Sequence, residues 1–467
     1  MKSYKLLNIL CFYILTCLSA NAVGLQIIDS TDDITYTELK VGYEKFLRLN
    51  NPQNKTKNSD WLDFSFQYES KRSFVRSKVD ADLRFYINNT SFSPSLSEMY
   101  LQYKSTDESR YTFGRIRLDW HPNEAYWQLN HFQNTQGFRL MDTNLEGITG
   151  FHYAHKDSVF RLEFFLSYLY IPALNPSVDV ENGNVSSNVD WYKQPPKRTI
   201  ITGSEVDIFY SLDVPEYRDV LFQKSLGLKI TPYWGNRQSG GEASFFAIYK
   251  PERNLRVNAE AYYDPDINKV AVNANPIVNH HVILGYDLRL HWGQSEMTTG
   301  LVYVDPTAKL GKDFESLSVS LDEGNENNRN VLSTEFFKVE PKYMRETYAH
   351  LRYNHQWEDL TLSLNGIYYF SKHPKGSDDF YSETVKWVRA AGIGGLYQMN
   401  EWSQLGFSLR YDFKRKDNLL NAQYILTPWR SSIFTFGAEL IKSPKANSYW
   451  SAYRTNDTFY FNAGYTF

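Results

Sequence analysis

Arg76, Lys78, Asp80, Asp82 and Arg84 occupy every second position of one run, so on an extended chain they project from a single face. Arg115, Arg117 and Asp119 repeat this spacing together with Phe113, and Arg161 and Glu163 repeat it again. Cations and anions opposed on one wall set up a transverse field, which orders water and discriminates among polar solutes. The same residues also suit two plainer ends. They can pair across strands to keep a wet wall solvated, or they can fasten a wall to an inserted loop. The residue types alone leave all three open.

Catalysis is not expected. His121 and Glu124 stand three apart without the H-E-x-x-H pattern. His280 and His281 are adjacent, so on a strand they face opposite ways and cannot chelate one ion. Neither a G-x-S-x-G elbow nor a glycine-rich phosphate loop before a helix is present. The expectation is a chain with no enzymatic activity, no metal site and no cofactor.

The elements that carry the charged rows read as long strands. Val75, Ser77, Val79, Ala81, Leu83, Phe85 and Ile87 oppose the first row, an alternation far longer than the ~5–6 residues of an ordinary strand. Phe160, Leu162, Phe164, Leu166, Tyr168 and Tyr170 oppose Arg161, Glu163 and Ser167. Leu360, Leu362, Leu364, Tyr368 and Phe370 oppose Thr361, Ser363 and Asn365. Leu405, Phe407, Leu409, Tyr411 and Phe413 oppose Ser408, Arg410, Asp412 and Lys414. A tilted strand of ~9–11 residues crosses a bilayer. Aromatics make up 16% of the chain and 35 residues are Tyr, an excess that suits two membrane interfaces better than a packed core. A mean hydropathy of −0.50 fits a barrel whose strands each turn one face to water.

Both ends agree with export and membrane insertion. Lys2 and Lys5 precede an apolar run over 6–18, and Ala20-Asn21-Ala22 is an A-x-A cleavage site, so 1–22 reads as a removed signal peptide. Cys11 and Cys17 both lie in it, which leaves the mature chain without disulfides or thiolate metal sites. Lipidation at Cys17 is disfavoured by Thr16 before it. At the other end Phe459, Phe461, Ala463, Tyr465 and the terminal Phe467 share one strand face. This run resembles the C-terminal assembly signal of Gram-negative outer-membrane β-barrel proteins, with Asn462 in place of the usual glycine. The resemblance implies a place in the outer membrane of a Gram-negative bacterium, with outer-membrane lipid and the barrel-assembly machinery as partners. Without Lys2 and Lys5 the chain has 48 basic against 53 acidic residues, a balance that argues against nucleic-acid binding.

The expected fold is all-β: a single-chain antiparallel transmembrane β-barrel of about 22 strands, within a range of 18–22. A short periplasmic segment (23–35) precedes a barrel over 36–467, and 23–35 is too short for a plug domain. Turns near 69–73, 105–109, 155–158 and 250–253 are short and read as periplasmic, while 50–60, 88–95, 120–146, 171–203 and 232–241 read as external loops. The stretch 214–223 is too long for its periplasmic place, and an odd number of strand-like runs lies between 253 and 357. Loop 171–203, with four prolines beside Trp191 and Tyr192, is the first candidate to fold into the lumen. Loop 120–146, with Tyr126, Trp127, His131 and Phe132, is the second. The leading functional expectation is a passive pore for small hydrophilic solutes. An export barrel for a polymer such as a polysaccharide, and a closed structural or adhesin barrel, are the alternatives. Nothing in the residues fixes the oligomeric state.

Overall fold

The computed structural model describes residues 33–47, 57–72, 74–88, 91–132, 134–136, 144–172, 179–187, 192, 195, 197–201, 204–236, 239–264, 268–306, 335–339, 345–370, 385–445 and 448–467. The proposed signal peptide, most of 23–35, and parts of loop 171–203 lie outside the described residues.

Eighteen antiparallel strands close into one barrel. Each pairs with the next barrel strand in chain order, beginning with Asp33–Phe46 against Asn58–Lys71. The last strand, Thr458–Thr466, pairs with Ser432–Lys442 on one side and closes on Asp33–Phe46 on the other. Closure leaves no edge, so every ladder bond is satisfied within the wall. The first strand starts at Asp33, slightly before the expected boundary at residue 36.

Period-two alternation sorts the side chains. In Ser225–Gly235, Leu226, Leu228 and Ile230 are exposed while Ser225, Lys229 and Thr231 are buried. The exposed set recurs around the ring, with Phe85, Leu101, Leu284, Leu351, Leu364, Leu405, Phe436 and Phe459 among it. The outer surface is therefore an apolar, aromatic-rich belt, as a wall facing lipid needs.

The total of eighteen is the lower bound of the expected range. Ser204–Leu212, Arg256–Asp264, Lys269–Ile277 and Glu335–Val339 lie outside the wall, in a separate five-stranded sheet with Arg198–Ile201. The sheet has its own apolar centre of Val206, Ile208, Tyr210, Val270 and Val272. It is assembled from three insertions made at one end of the barrel, and Ser204–Leu212 and Lys269–Ile277 meet the same hydrophobic requirement as wall strands and alternate as they do.

Removing those runs also corrects the polarity of the middle of the chain. The short turn between Ser225–Gly235 and Ser239–Pro251 lies at the end that holds both termini, with Asn236 N–H bonded to the Ser239 carbonyl. The 250–253 connection lies at the opposite, long-loop end, not with the short turns as expected. The misplaced 214–223 stretch is part of the insertion and includes a short helix, Tyr217–Leu221. Three wall strands, His280–Trp292, Ser295–Asp305 and Glu346–Gln356, lie between 253 and 357, and an odd number is what connections at opposite ends require.

Candidate functional site

The inner face is not uniformly wet. Along five neighbouring strands, from Ser239–Pro251 to Leu360–Tyr369, it is apolar: Phe246, Ile248, Ile283, Val302, Tyr348, Ile367 and Tyr369 are all buried and point inward. What covers them is the chain itself. After strand Ser109–Ile116 the segment 117–132 turns into the barrel and buries Trp120, Trp127 and Phe132 against that arc. This is the second of the two loops expected to fold inward. Of loop 171–203, the described part includes strand Arg198–Ile201 of the separate sheet and a hairpin, Asp179–Glu181 with Asn184–Ser186, whose Val180 and Val185 pack on that sheet.

The inserted segment is held at many points. It carries one helical turn, Glu124–Trp127, ended by Gln128 in the left-handed region (φ 53°). Asn130 is also left-handed (φ 63°), a conformation Asn tolerates better than most residues. The buried Glu124 carboxylate accepts the Phe132 N–H at 2.7 Å and so closes the segment on itself. Lys229 donates to the Trp120 carbonyl at 3.1 Å, and Lys386 donates to the Gln128 carbonyl at 2.5 Å. The Arg410 guanidinium lies over the Tyr126 ring, 4.6 Å from its centroid. Tyr126 can approach the wall only because Gly392 is beneath it, where any Cβ would strike its hydroxyl. His121, Asp287 and His350 join segment to wall at its root, with His121 Nδ1 and His350 Nε2 each hydrogen-bonded to Asp287.

Beside the segment, across the seam where last strand meets first, a cavity of about 410 Å³ remains. Its wall is polar and mixed in charge, with Lys40, Arg84 and Glu439 among the neutral groups Ser408, Asn421, Gln423 and Asn462. The segment therefore covers the apolar arc, and this cavity lies against the strands on either side of the seam.

The charged rows read from the sequence are mostly paired. Arg76 bonds Glu69 at 2.7 Å, Lys78 bonds Glu98 at 2.5 Å, and Arg84 bonds Asp63 at 2.7 Å while lying 4.3 Å from the Trp61 ring centroid. Asp80 and Asp82 face Gln67 and Ser65 in the ladder. Arg161 meets Glu163 at 3.1 Å. Of these residues only Arg84 lines the cavity.

The Phe113–Asp119 row does not hold together as one face. Gly114 has φ +123°, and beyond it the alternation breaks: Phe113 is 57% exposed while Arg115 is 4% exposed. Arg115 is enclosed at the foot of the inserted loop, bonded to Glu146 at 3.0 Å and to the Leu96 carbonyl at 2.5 Å. Burial pushes the Glu146 carboxyl up, against the opposing pull of Arg115 and then Arg253. Arg117 and Asp119 lie past the end of the strand, with Arg117 N–H donated to Glu98 at 3.3 Å.

The sequence reading missed Lys40, Lys229, Asp287, His350 and Trp387. A signal for the docking arc was present. Phe245-Phe246-Ala247-Ile248 and Leu301-Val302-Tyr303-Val304 are apolar at both parities, so one set must face inward.

No protein-family model matches the chain, and no curated protein matches it in sequence. Solved structures do. It is similar to OccAB4 of Acinetobacter baumannii, at 10% identity over 94% of this chain and 98% of that one, with a TM-score of 0.47. It is also similar to the outer membrane protein OpdK of Pseudomonas aeruginosa, at 8% identity over 93% and 99%, with a TM-score of 0.45. OccK2 of the same organism, solved in complex with glucuronate, gives 7% identity over 93% and 96%, with a TM-score of 0.48. The functional reading rests on the chain's own geometry.

Proposed function

We propose that this chain is an outer-membrane pore through which small hydrophilic solutes diffuse down their gradients. The observation that carries the reading is the segment 117–132, folded inside a closed barrel that keeps a polar-walled cavity at the seam of its first and last strands. Such a device narrows a channel to solute size, and the mixed charges of the cavity favour polar over apolar solutes. The apolar belt suits a lipid bilayer, with the termini and short turns in the periplasm and the long loops outside. Export of a polymer asks for a lumen free of obstruction, and the many fixings of the segment run against it.

The test is conductance of the purified protein in a planar bilayer. Steady, ohmic steps of uniform size are expected. Silence from correctly folded protein would overturn the pore reading in favour of a closed structural or adhesin barrel.

A further inference from the structure

Asp287, Gly300 and His350 form one cross-strand row, Asp287 opposite Gly300 and Gly300 opposite His350. The glycine allows the two flanking side chains to lean together over it. A methyl group at Gly300 would collide with both the Asp287 carboxylate and the His350 imidazole. His350 Nε2 thereby comes 2.7 Å from Asp287 Oδ1. The inserted segment supplies His121 from the lumen side, its Nδ1 3.1 Å from Asp287 Oδ2. The three donor atoms lie within 4.8 Å of one another, and both imidazoles are fully enclosed.

We propose that His121, Asp287 and His350 bind one divalent transition metal ion of the zinc class, which staples the inserted segment to the barrel wall. The donor set selects the ion. Two imidazoles and one carboxylate suit zinc and its neighbours, whereas magnesium and calcium take oxygen ligands. At zinc bond lengths of about 2.0–2.2 Å, tetrahedral donors stand roughly 3.3–3.5 Å apart. The two hydrogen-bonded pairs, at 2.7 and 3.1 Å, need to part by roughly 0.2–0.8 Å to admit the ion.

A neighbouring residue points the same way. Asn123, on the segment, has its Nδ2 2.6 Å from His350 Nδ1, while its Oδ1 is buried with no hydrogen-bond partner. A metal on His350 Nε2 leaves the proton on Nδ1, which then needs an acceptor. Turning the Asn123 amide over supplies Oδ1 for that role. In a plain hydrogen-bonded latch His350 Nε2–H is given to Asp287 and Nδ1 accepts from Asn123 Nδ2, so the orientation of this amide separates the two cases.

This site does not depend on the pore reading, and its test does not use conductance. Purified barrel in detergent is stripped with a chelator and titrated with Co²⁺, then with Zn²⁺. One equivalent of Co²⁺ is expected, with the visible absorption of a four-coordinate site in which water completes the three protein donors, displaced by Zn²⁺. Zn²⁺ should also raise the unfolding midpoint. Asn123→Ala should weaken binding about 10–100-fold, as loss of a supporting hydrogen bond does. His121→Gln with His350→Gln should abolish it, heat-shifted gel mobility reporting that the barrel has folded. Lack of stoichiometric uptake by the folded wild-type chain overturns the proposal whatever the variants do. Uptake retained by the folded double variant overturns it equally, leaving a hydrogen-bonded latch.

Discussion

Trp387 donates its indole N–H to the main-chain carbonyl of Trp127 at 2.9 Å, and the two rings meet edge-on with centroids 5.3 Å apart. The two residues are 260 positions apart in the chain, one in the inserted segment and one at the long-loop end of the wall. Trp450 extends the stack, its centroid 5.1 Å from that of Trp387. This contact joins the segment to the far side of the barrel.

Trp387→Ala removes both the hydrogen bond and the packing, a loss of about 3–5 kcal/mol for a buried aromatic. The ladder of the barrel is untouched, so heat-shifted gel mobility should persist. The segment should loosen, and single-channel conductance should rise and become noisy. Unchanged conductance would mean that the segment does not form the narrow zone.

Arg115→Ser should act on stability and not on selectivity. The substitution strips a buried carboxylate, Glu146, of its ion-pair partner, which typically costs about 3–5 kcal/mol. Burial already pushes the Glu146 carboxyl up, and losing Arg115 pushes it further, with Arg253 left to oppose. A carboxyl whose folded pKa is raised favours the folded state below its unfolded pKa and loses that contribution as pH rises through the folded value. The defect of Arg115→Ser should therefore be small near pH 4 and grow toward pH 8. A defect independent of pH in urea titrations would show that Glu146 is not the group left exposed to this penalty.

Charge selectivity should instead respond at Gln423. This neutral residue lines the cavity and, among the described residues, accepts a hydrogen bond from the Tyr460 hydroxyl at 3.4 Å, so replacing it breaks no ion pair there. Gln423→Lys should move the reversal potential in a salt gradient toward anion preference, and Gln423→Glu toward cation preference. Coincident reversal potentials for the two variants would place the selective zone elsewhere.

The wall was legible in the sequence because period-two alternation is a direct consequence of lipid on one side and water on the other. It fails where a third environment appears. Ser204–Leu212 and Lys269–Ile277 alternate as wall strands do, but they pack Val206, Ile208, Val270 and Val272 on each other outside the barrel. Hydrophobic pattern reports burial and not what does the burying. The inner face misled for a related reason. Ile248 and Val302 face the lumen, yet they meet Trp and Phe side chains of the inserted segment and not water. Charged rows were found, but pattern cannot separate Arg84, at the cavity, from Arg115, sealed beside Glu146. Gly114 breaks the alternation between Phe113 and Arg115 by its positive φ, which residue spacing does not reveal. The His121–Asp287–His350 cluster was invisible because Asp287 and His350 meet across the register of three strands and His121 reaches them only through the inward fold of segment 117–132.

The lipid-facing assignment predicts an asymmetry along one strand. Leu364 is exposed on the outer belt and Asn365 is buried on the inner face of Leu360–Tyr369. Leu364→Arg should cost about 2–4 kcal/mol in lipid, as charge near the midplane does, and Asn365→Ser far less. Equal losses in refolding titrations would mean that the faces are reversed.

Phe467 separates assembly from stability. Its backbone N–H is donated to the Thr37 carbonyl at 2.8 Å, and its ring meets Tyr465 edge-on at 4.9 Å. The first contact uses only main chain and survives substitution. The second is a single exposed ring pair, worth roughly 0.5–1.5 kcal/mol. Phe467→Asp should therefore refold in detergent nearly as wild type does, with the same heat-shifted mobility. In cells it should fail to accumulate in the outer membrane and be degraded in the periplasm, if the terminal aromatic is read by the assembly machinery. Failure in both settings would make Phe467 a structural residue. Normal membrane levels of Phe467→Asp would remove the assembly-signal reading and leave the closing strand to pairing with Asp33–Phe46 and Ser432–Lys442 alone.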